Sequence, residues 1–304
     1  MGDFILLLRE SRLDKMKNYV LGLYEKAMPM DLSWREKLFE AKKAGFDFLE
    51  MSIDETDSKL SRLDMSEGER VEIRESMRKT GVPIRSICLS GHRKYPLGSH
   101  DPHVRQKSLE IMQKAVNLAA DLGIRIIQLA GYDVYYEETS EKTRALFVKN
   151  LGKCVEMAAK EGIVLGFETM ETEFMNTVTK SMVYVQAIQS PYLGVYPDSG
   201  NLTNAAIEYQ SDLMADIEAG AGHIVAFHLK ETVPGKFREI PFGTGHVDFK
   251  RIIDVAWRLG VRRYVAEFWY AGNDNWQEDL HFAQAFLTHN FAEAAGFSTL
   301  ETVS

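Results

Sequence analysis

Eight short apolar segments recur along the chain, and most follow a stretch with helical periodicity. The residues taken as the ends of these segments are separated by 25, 39, 40, 39, 30, 30 and 39 positions, and each interval accommodates one strand, one helix and two connections. These end residues are Glu25, Glu50, Leu89, Leu129, Glu168, Asp198, His228 and Glu267. This repeat predicts an α/β fold of eight strand–helix units, the (β/α)8 TIM barrel. An open doubly wound sheet is the alternative, but no glycine-rich dinucleotide fingerprint or P-loop follows the first segment. The predicted strands are Tyr19–Tyr24, Phe48–Ser52, Ile84–Leu89, Ile126–Leu129, Val164–Glu168, Leu193–Pro197, Ile224–Leu229 and Tyr264–Glu267.

Glycines mark the expected junctions between helices and strands. Glycine accepts the left-handed backbone conformation that ends a helix, and an apolar run that can start a strand follows each of them. At the start of one helix, Ser66 and Glu69 have the spacing of a capping box, in which each residue bonds to the backbone of the other. The predicted helix ends are at Gly45, Gly81, Gly123, Gly162 and Gly260.

Length and composition agree with one large barrel. The chain has 304 residues, 45% of them hydrophobic, so we predict an N-terminal extension over residues 1–17 and a single domain over residues 18–304. A net charge of −8 argues against nucleic acid as a partner, because phosphates would repel the average surface. No segment reaches the roughly 18 apolar residues of a membrane span. Cys88 and Cys154 lie in apolar runs, as expected for buried reduced thiols, so we expect a cytoplasmic protein without a membrane partner.

Residues with metal-binding side chains end the last four predicted strands: Glu168, Asp198, His228 and Glu267. The carboxyl ends of parallel strands meet at one rim of a barrel, so these side chains can converge on one point. Three carboxylates and one imidazole favour a divalent cation there. Taken singly, each residue has an ordinary alternative, such as a salt bridge, a turn or a core hydrogen bond. His223, which comes before its strand, is expected at the opposite rim.

Such a site suits a substrate with neighbouring hydroxyl and carbonyl oxygens. A cation bound to both oxygens of an α-hydroxyketone acidifies the C–H bond between them and stabilises the resulting enediolate. Glu168 and Glu267 could then lie on opposite faces of this planar intermediate. One would remove the proton and the other would return it from the far side, which inverts the carbon.

Long motifs are spread over nearly the whole chain, from about Leu21 to about Trp269. They are Gly22-Leu-Tyr-Glu-Lys-Ala-Met-Pro, Gly45-Phe-Asp-Phe-Leu-Glu-Met-Ser-Ile-Asp-Glu-Thr-Asp, Ser61-Arg-Leu-Asp, Leu89-Ser-Gly-His-Arg-Lys-Tyr-Pro-Leu-Gly-Ser, Ile127-Gln-Leu-Ala-Gly-Tyr-Asp-Val-Tyr-Tyr, Tyr196-Pro-Asp-Ser-Gly-Asn-Leu, Gly222-His-Ile-Val-Ala-Phe-His-Leu-Lys-Glu-Thr and Pro241-Phe-Gly-Thr-Gly. In these motifs the chain resembles the L-ribulose-5-phosphate 3-epimerases, also described as L-xylulose-5-phosphate 3-epimerases, of the xylose-isomerase-like TIM barrel superfamily.

The resemblance implies one divalent ion (Zn²⁺, Mn²⁺, Co²⁺ or Mg²⁺) bound by the four strand-end residues, with Glu168 and Glu267 as acid and base. It also implies that the substrates are L-ribulose 5-phosphate and L-xylulose 5-phosphate, in L-ascorbate or related pentose catabolism. Related ketose 3-epimerases of free sugars have a histidine three residues after the metal-binding aspartate, whereas this chain has Asn201. This departure fits phosphorylated pentuloses better. Asn201 is expected either to bond a substrate hydroxyl or to cap its loop.

Cationic and polar residues after the predicted strands are candidates for binding the substrate. The loop that starts at Ser90 offers a hydroxyl, an imidazole and two cations, which match a phosphate, although a solvated basic loop has the same composition. Lys230 is expected to point to the same side of its strand as His228, where it could reach the substrate or pair with a carboxylate. Glu50 is expected either to contact the substrate or to pair structurally. The candidates are Ser90, His92, Arg93, Lys230, Arg238, Glu50 and Asn201.

Aromatic residues lie on loops predicted at the same rim: Tyr135, Tyr136, Phe237 and Trp269. They are candidates for excluding water from the reaction. Aromatic loop residues are also common at oligomer interfaces, so a homodimer is compatible with the sequence.

Three other functions share parts of this pattern. A metal-dependent apurinic endonuclease would need more histidine ligands and a basic groove, which eight histidines and a net charge of −8 disfavour. An aldose–ketose isomerase would move hydrogen between C1 and C2 of a related substrate. A catalytically silent sugar-phosphate sensor would bind ligand without needing both glutamates.

Overall fold

The computed structural model describes residues 18–294, which form a barrel of eight strands. The expected extension over residues 1–17 and the last ten residues lie outside this part of the chain. The strands are β1 (Val20–Tyr24), β2 (Phe48–Ser52), β3 (Ile84–Leu89), β4 (Ile126–Ala130), β5 (Val164–Glu168), β6 (Leu193–Tyr196), β7 (Phe227–Leu229) and β8 (Arg263–Ala266).

Helices lie between consecutive strands and after the last one. They are α1 (Trp34–Lys43), α2 (Asp57–Leu60), α3 (Glu67–Thr80), α4 (Pro102–Leu122), α5 (Glu141–Lys160), α6 (Val178–Ile188), α7 (Ser199–Tyr209), α8 (Leu213–Glu218), α9 (Phe249–Arg258) and α10 (Trp276–Glu293). Three short 3-10 turns cover Glu25–Ala27, Ser61–Asp64 and Ser90–Arg93.

All eight strands are parallel, in the order β6-β5-β4-β3-β2-β1-β8-β7. Two further parallel bridges, Val195 to Ile224 and Asp198 to His228, join the outer strands β6 and β7. These bridges bring the two edges of the sheet together. The predicted (β/α)8 barrel is confirmed, and the open doubly wound sheet is wrong.

Most strand boundaries agree with the prediction to within one residue, and the largest difference is in β7. The predicted strand began at Ile224, whereas β7 begins at Phe227 and Ile224 makes only an isolated bridge. The strand ends at Leu229 as predicted, so His228 is its second-to-last residue. His223 is exposed and lines a cavity with Leu193, the first residue of β6, so it lies at the opposite rim as expected.

The predicted helix boundaries have the expected local chemistry. The glycines at the five predicted helix ends all have positive φ angles, between 65° and 90°, which residues with a Cβ adopt at a cost. Ser66 and Glu69 form the capping box at the start of α3, with the Ser66 backbone N–H donating to the Glu69 carboxylate at 2.7 Å. These caps fix where each helix stops and where the next strand can start.

The hydrophobic core has two layers, one between strands and helices and one inside the barrel. In the inner layer, Phe48 fills the barrel because Gly22 on the neighbouring strand has no side chain. A Cβ at Gly22 would lie 2.4 Å from the Phe48 ring. Cys88 and Cys154 are buried and unpaired, as predicted. Among residues 18–294, no helix is both long enough and apolar enough to cross a membrane.

Candidate active site and metal centre

The four predicted metal ligands come together at the carboxyl end of the barrel. Glu168 is the last residue of β5, Asp198 follows β6, His228 lies in β7 and Glu267 follows β8. One ligand atom from each lies within 4.8 Å of the others, and all four side chains are buried. Parallel strands deliver their ends to a common rim, so the spacing along the sequence becomes proximity in space.

Two carboxylates face the same nitrogen of His228. Its Nδ1 lies 3.3 Å from Glu168 Oε1 and 3.2 Å from Glu267 Oε2. Its Nε2 is 2.6 Å from Glu50 Oε1. Glu50 accepts from Nε2–H, so in the neutral imidazole the lone pair is on Nδ1, where it could bind a cation.

Glu50 is a structural partner of the site and does not reach the substrate cavity. It is fully buried, and its Oε2 accepts hydrogen bonds from Ser86 Oγ at 2.6 Å and Tyr196 Oη at 2.9 Å. The sequence allowed Glu50 either to contact the substrate or to pair with another residue of the protein. In the structure it pairs with His228.

Asp198 joins the cation site to the next helix. Its Oδ1 accepts from the Asn201 backbone N–H at 2.6 Å, which caps α7, and lies 3.2 Å from Lys230 Nζ. Its Oδ2 is buried and has no hydrogen-bond partner within residues 18–294. An orphaned buried carboxylate oxygen costs free energy, and a cation would relieve this cost.

When all four of its carboxyl groups are ionised, the site has buried charges that do not balance without a cation. Four buried carboxylates face two cationic groups, and the imidazole counts as cationic only when it is protonated. At least two negative charges (four minus two) are therefore unmatched, which is the charge of one divalent ion. The carboxylates are those of Glu50, Glu168, Asp198 and Glu267, and the cationic groups are those of His228 and Lys230.

Burial and crowding shift the pKa values of the carboxyl groups in opposite directions. Burial raises the pKa of Glu168, and the charge of Glu267 raises it further. Burial also raises the pKa of Asp198 well above its usual range, against the opposing charge of Lys230. Burial acts in the same sense on Glu267, but Lys230 and His228 outweigh it and hold its pKa well below the usual range. A divalent ion among these groups would favour the ionised form of each.

A small polar cavity of about 50 Å³ opens above this centre. Larger cavities lie at the opposite end of the barrel, but this one contains the converging carboxylates and cations. Five of the seven predicted substrate-binding residues line it, and Glu50 and His92 do not. The lining residues are Tyr24, Lys26, Cys88, Ser90, Arg93, Glu168, Met170, Glu171, Asn201, Lys230, Phe237, Arg238, Glu267 and Trp269.

Comparison with known proteins agrees with this geometry. The family model of the xylose isomerase-like TIM barrel matches residues 38–286. The L-ribulose-5-phosphate 3-epimerase UlaE of Escherichia coli (strain SMS-3-5 / SECEC) is 46% identical over 254 residues, covering 83% of this chain and 88% of that protein. The protein of the same name from Salmonella paratyphi A is 42% identical over 279 residues, covering 91% and 97%.

The chain belongs to the L-ribulose-5-phosphate 3-epimerase family of xylose isomerase-like TIM barrels. It is a carbohydrate epimerase, an isomerase. The fold is also shared with the solved structure of an L-ribulose 3-epimerase, with a TM-score of 0.73 at 20% identity over 94% of this chain and 98% of that one.

His92 of the epimerase points away from the cavity. It is buried, and its Nε2 lies 3.1 Å from the backbone oxygen of Ser108 in α4. Burial lowers the pKa of His92 to about 4, so the ring is neutral and carries no charge for a phosphate. The 3-10 turn Ser90–Arg93 changes the direction of successive side chains, which separates His92 from its neighbour Arg93.

Arg93 faces the cavity and is held by aromatic rings. Its guanidinium lies over the rings of Tyr132 and Tyr135, at 5.6 and 4.9 Å from their centroids. Its Nε is buried and has no hydrogen-bond partner among residues 18–294, and its contact with Glu55 is long, at 3.9 Å. The stacked guanidinium is thus fixed in position with donor capacity to spare.

Lys230 is fixed in the centre of the site. Its Nζ donates to Asn201 Oδ1 at 2.9 Å and lies 3.2 Å from Asp198 Oδ1 and 3.6 Å from Glu267 Oε2. Asn201 also donates from its amide to the Thr169 backbone oxygen at 2.7 Å. Asn201 therefore both caps its loop and orients Lys230, and Lys230 both pairs with carboxylates and lines the cavity.

Three residues of the epimerase site were missed in the sequence. Gln128, on β4, donates from its amide to Glu168 Oε2. Glu171 accepts from Tyr132 Oη at 2.7 Å and lies 3.6 Å from Arg238. Lys26 lines the cavity and pairs with Asp54 at 2.6 Å. Gln128 is a polar residue inside an apolar strand, which is the one sequence pattern that pointed to it.

The aromatic loop residues divide into two groups. Phe237 and Trp269 line the cavity, and Trp269 lies 5.8 Å from the guanidinium of Arg238. Tyr135 packs on Arg93, and Tyr136 is 69% exposed with its hydroxyl 3.0 Å from Glu55. Phe237 and Trp269 therefore line the cavity, whereas Tyr135 and Tyr136 do not.

Proposed function

We propose that the epimerase interconverts L-ribulose 5-phosphate and L-xylulose 5-phosphate by inversion at C3, in L-ascorbate or related pentose catabolism. The observation that carries the proposal is the convergence of Glu168 and Glu267, whose oxygens lie 3.3 and 3.2 Å from the same nitrogen of His228. Inversion needs two proton-transfer groups at one carbon, and these are two carboxylates at one point. The names of the relatives at 42% and 46% identity supply the substrate.

A divalent ion held by the four ligands would polarise the neighbouring carbonyl and hydroxyl oxygens of the substrate; the donor set suits Zn²⁺, Mn²⁺, Co²⁺ or Mg²⁺. In our proposal, one of Glu168 and Glu267 removes the C3 proton and leaves a planar enediolate. The other gives a proton to the opposite face. Gln128 holds Oε2 of Glu168, which fixes the carboxylate plane.

Lys230 is positioned to stabilise negative charge on the substrate oxygens. It is buried, its Nζ is held by Asn201, and it lies beside Glu267. A cation fixed before the reaction stabilises developing charge without reorganising solvent. Asn201 is in this account an orienting residue for Lys230.

The phosphate of the substrate is bound, in our proposal, by Arg93 and Arg238 with Ser90 beside them. Arg93 has an unpaired buried Nε, and Arg238 lines the same cavity, 3.6 Å from Glu171. A planar guanidinium fork matches two oxygens of a phosphate. The cavity has a volume of about 50 Å³, so lining side chains such as Phe237 and Trp269 would have to move apart to admit a pentulose phosphate.

The test is a coupled assay of the metal-loaded protein with L-ribulose 5-phosphate and with unphosphorylated L-ribulose. Glu168→Gln and Glu267→Gln are expected to lower kcat by roughly a thousandfold, whereas Glu72→Gln, at an exposed carboxylate on α3, should leave kcat about equal to that of wild type. Wild-type turnover in either active-site variant would contradict the two-glutamate scheme. NMR in D2O separates the alternative reaction, because an aldose–ketose isomerase exchanges a proton at C1 and not at C3.

A further inference from the structure

A second polar cavity lies at the amino end of the strands, away from the active site. Its volume is about 420 Å³. Arg263, the first residue of β8, and Arg85, near the start of β3, both line it, whereas Glu267 follows the other end of β8. The lining residues are Asn18, Tyr19, Val20, Arg85, Ile224, Val225, Gly260, Val261, Arg262 and Arg263.

The guanidinium groups of Arg85 and Arg263 have no partner of opposite charge. Within residues 18–294, neither forms an ion pair, and Nε of Arg263 is buried without a hydrogen bond. Arg262 differs, because it donates to the backbone oxygens of Trp257 and Val261 and lies 3.5 Å from the centroid of the Trp257 ring. Two of the three arginines in this cavity therefore retain unused donors.

An unpaired guanidinium in a partly buried position is costly. Burial lowers the pKa of Arg263, the buried hydroxyl of Tyr196 opposes this change, and the like charge of Arg85 adds to the lowering. Proteins normally match such charges with a carboxylate or a bound anion. Among residues 18–294, no carboxylate lines this cavity, and an anion from solution would supply the missing negative charge.

We propose that the cavity at the amino end of the barrel binds the phosphate group of a small molecule through Arg85 and Arg263. Two guanidinium groups supply several N–H donors and two positive charges, which suit a tetrahedral oxyanion. A neighbouring cavity of about 580 Å³ shares Ile224 and Val225 with it and gives room for the rest of a phosphorylated metabolite. This site is independent of the proposed reaction.

The test uses the full-length, metal-loaded protein in a phosphate-free buffer, with inorganic phosphate and glycerol 3-phosphate as probes in isothermal titration calorimetry. The parent is Arg93→Gln, which weakens phosphate binding at the active site. Phosphate binding is expected to persist in this parent. It should weaken at least tenfold when Arg85→Gln or Arg263→Gln is added. Arg125→Gln is the matched control. Arg125 is exposed near the start of β4 and does not line the cavity, and among residues 18–294 its guanidinium donates only to the backbone oxygen of Ile124.

Tighter binding of glycerol 3-phosphate than of phosphate would identify a phosphorylated metabolite, and equal binding would identify the free oxyanion; both outcomes support an anion site. Unchanged affinity in the Arg85 and Arg263 variants, or no binding in the Arg93→Gln parent, would overturn it. Arg263→Gln is expected to keep or raise the melting temperature in phosphate-free buffer, because it removes an unpaired charge. If Arg263→Gln is destabilised, the phosphate affinity of Arg85→Gln alone tests the proposal, because Arg85 is exposed.

Discussion

Glu50→Gln is expected to weaken binding of the divalent ion without unfolding the protein. Glu50 Oε1 accepts from His228 Nε2 at 2.6 Å, a distance typical of a charge-assisted hydrogen bond. Glutamine keeps the acceptor and the shape but removes the negative charge that makes the imidazole a stronger ligand. Its amide can also bond the hydroxyls of Ser86 and Tyr196, which can accept as well as donate.

Mutating the residue that hydrogen-bonds to a metal-binding histidine typically weakens metal affinity by about 10- to 100-fold, or about 1.4 to 2.7 kcal/mol. We therefore expect the dissociation constant for Zn²⁺ or Mn²⁺ in Glu50→Gln to rise by this factor, measured by competition with a chromogenic chelator. Ser86→Ala is the control, since it removes one bond to Glu50 and leaves the charge, so its effect should stay below about tenfold. An affinity equal to that of wild type in Glu50→Gln would refute the role assigned to Glu50.

Two further predictions concern Arg93 and His92. Arg93→Gln should raise KM for the phosphorylated substrate by about 10- to 100-fold, as expected for lost hydrogen bonds to a charged group. It should leave KM for unphosphorylated L-ribulose unchanged. Lys94→Gln is the control, because Lys94 is an exposed neighbour that pairs with Asp57, and it should change neither KM. Because the pKa of His92 is about 4 in the folded protein and 6.5 ordinarily, the unfolded chain takes up the proton first as the pH falls. His92 therefore has no effect above pH 6.5 and costs about 2 kcal/mol of folding stability by pH 5. His92→Gln should remove this part of the acid destabilisation in urea unfolding at pH 7 and pH 5, and an unchanged pH dependence would contradict it.

The fold and the cation site were predictable because they depend on repeated, local patterns. Glycines that end helices, such as Gly81 and Gly123, indicate where the next strand can begin. The last residues of parallel strands lie at one rim of the barrel. Glu168, Asp198 and Glu267 were therefore predicted to be neighbours, although they are far apart in the sequence, and the structure brings them together.

Side-chain direction beyond the strand ends was not predictable from the sequence. His92 and Arg93 are adjacent and both polar, yet a 3-10 turn sends one toward α4 and the other toward the cavity. Glu50 was ambiguous because its role depends on the position of His228, which reaches it across the barrel. The role of Gln128 was not predicted, because Gln128 lies within an apolar strand and its contact with the site is a single side-chain hydrogen bond to Glu168.

Isotope transfer during one turnover tests the two-glutamate account most directly. The metal-loaded epimerase would be mixed with L-ribulose 5-phosphate in D2O and quenched early, and deuterium at C3 would be measured in substrate and product. If separate carboxylates remove and return the proton, as we propose, the product should carry solvent deuterium at C3 while the remaining substrate keeps its hydrogen. A product that retains the original hydrogen would mean that a single group carries it, which would contradict the arrangement of Glu168 and Glu267 on opposite faces.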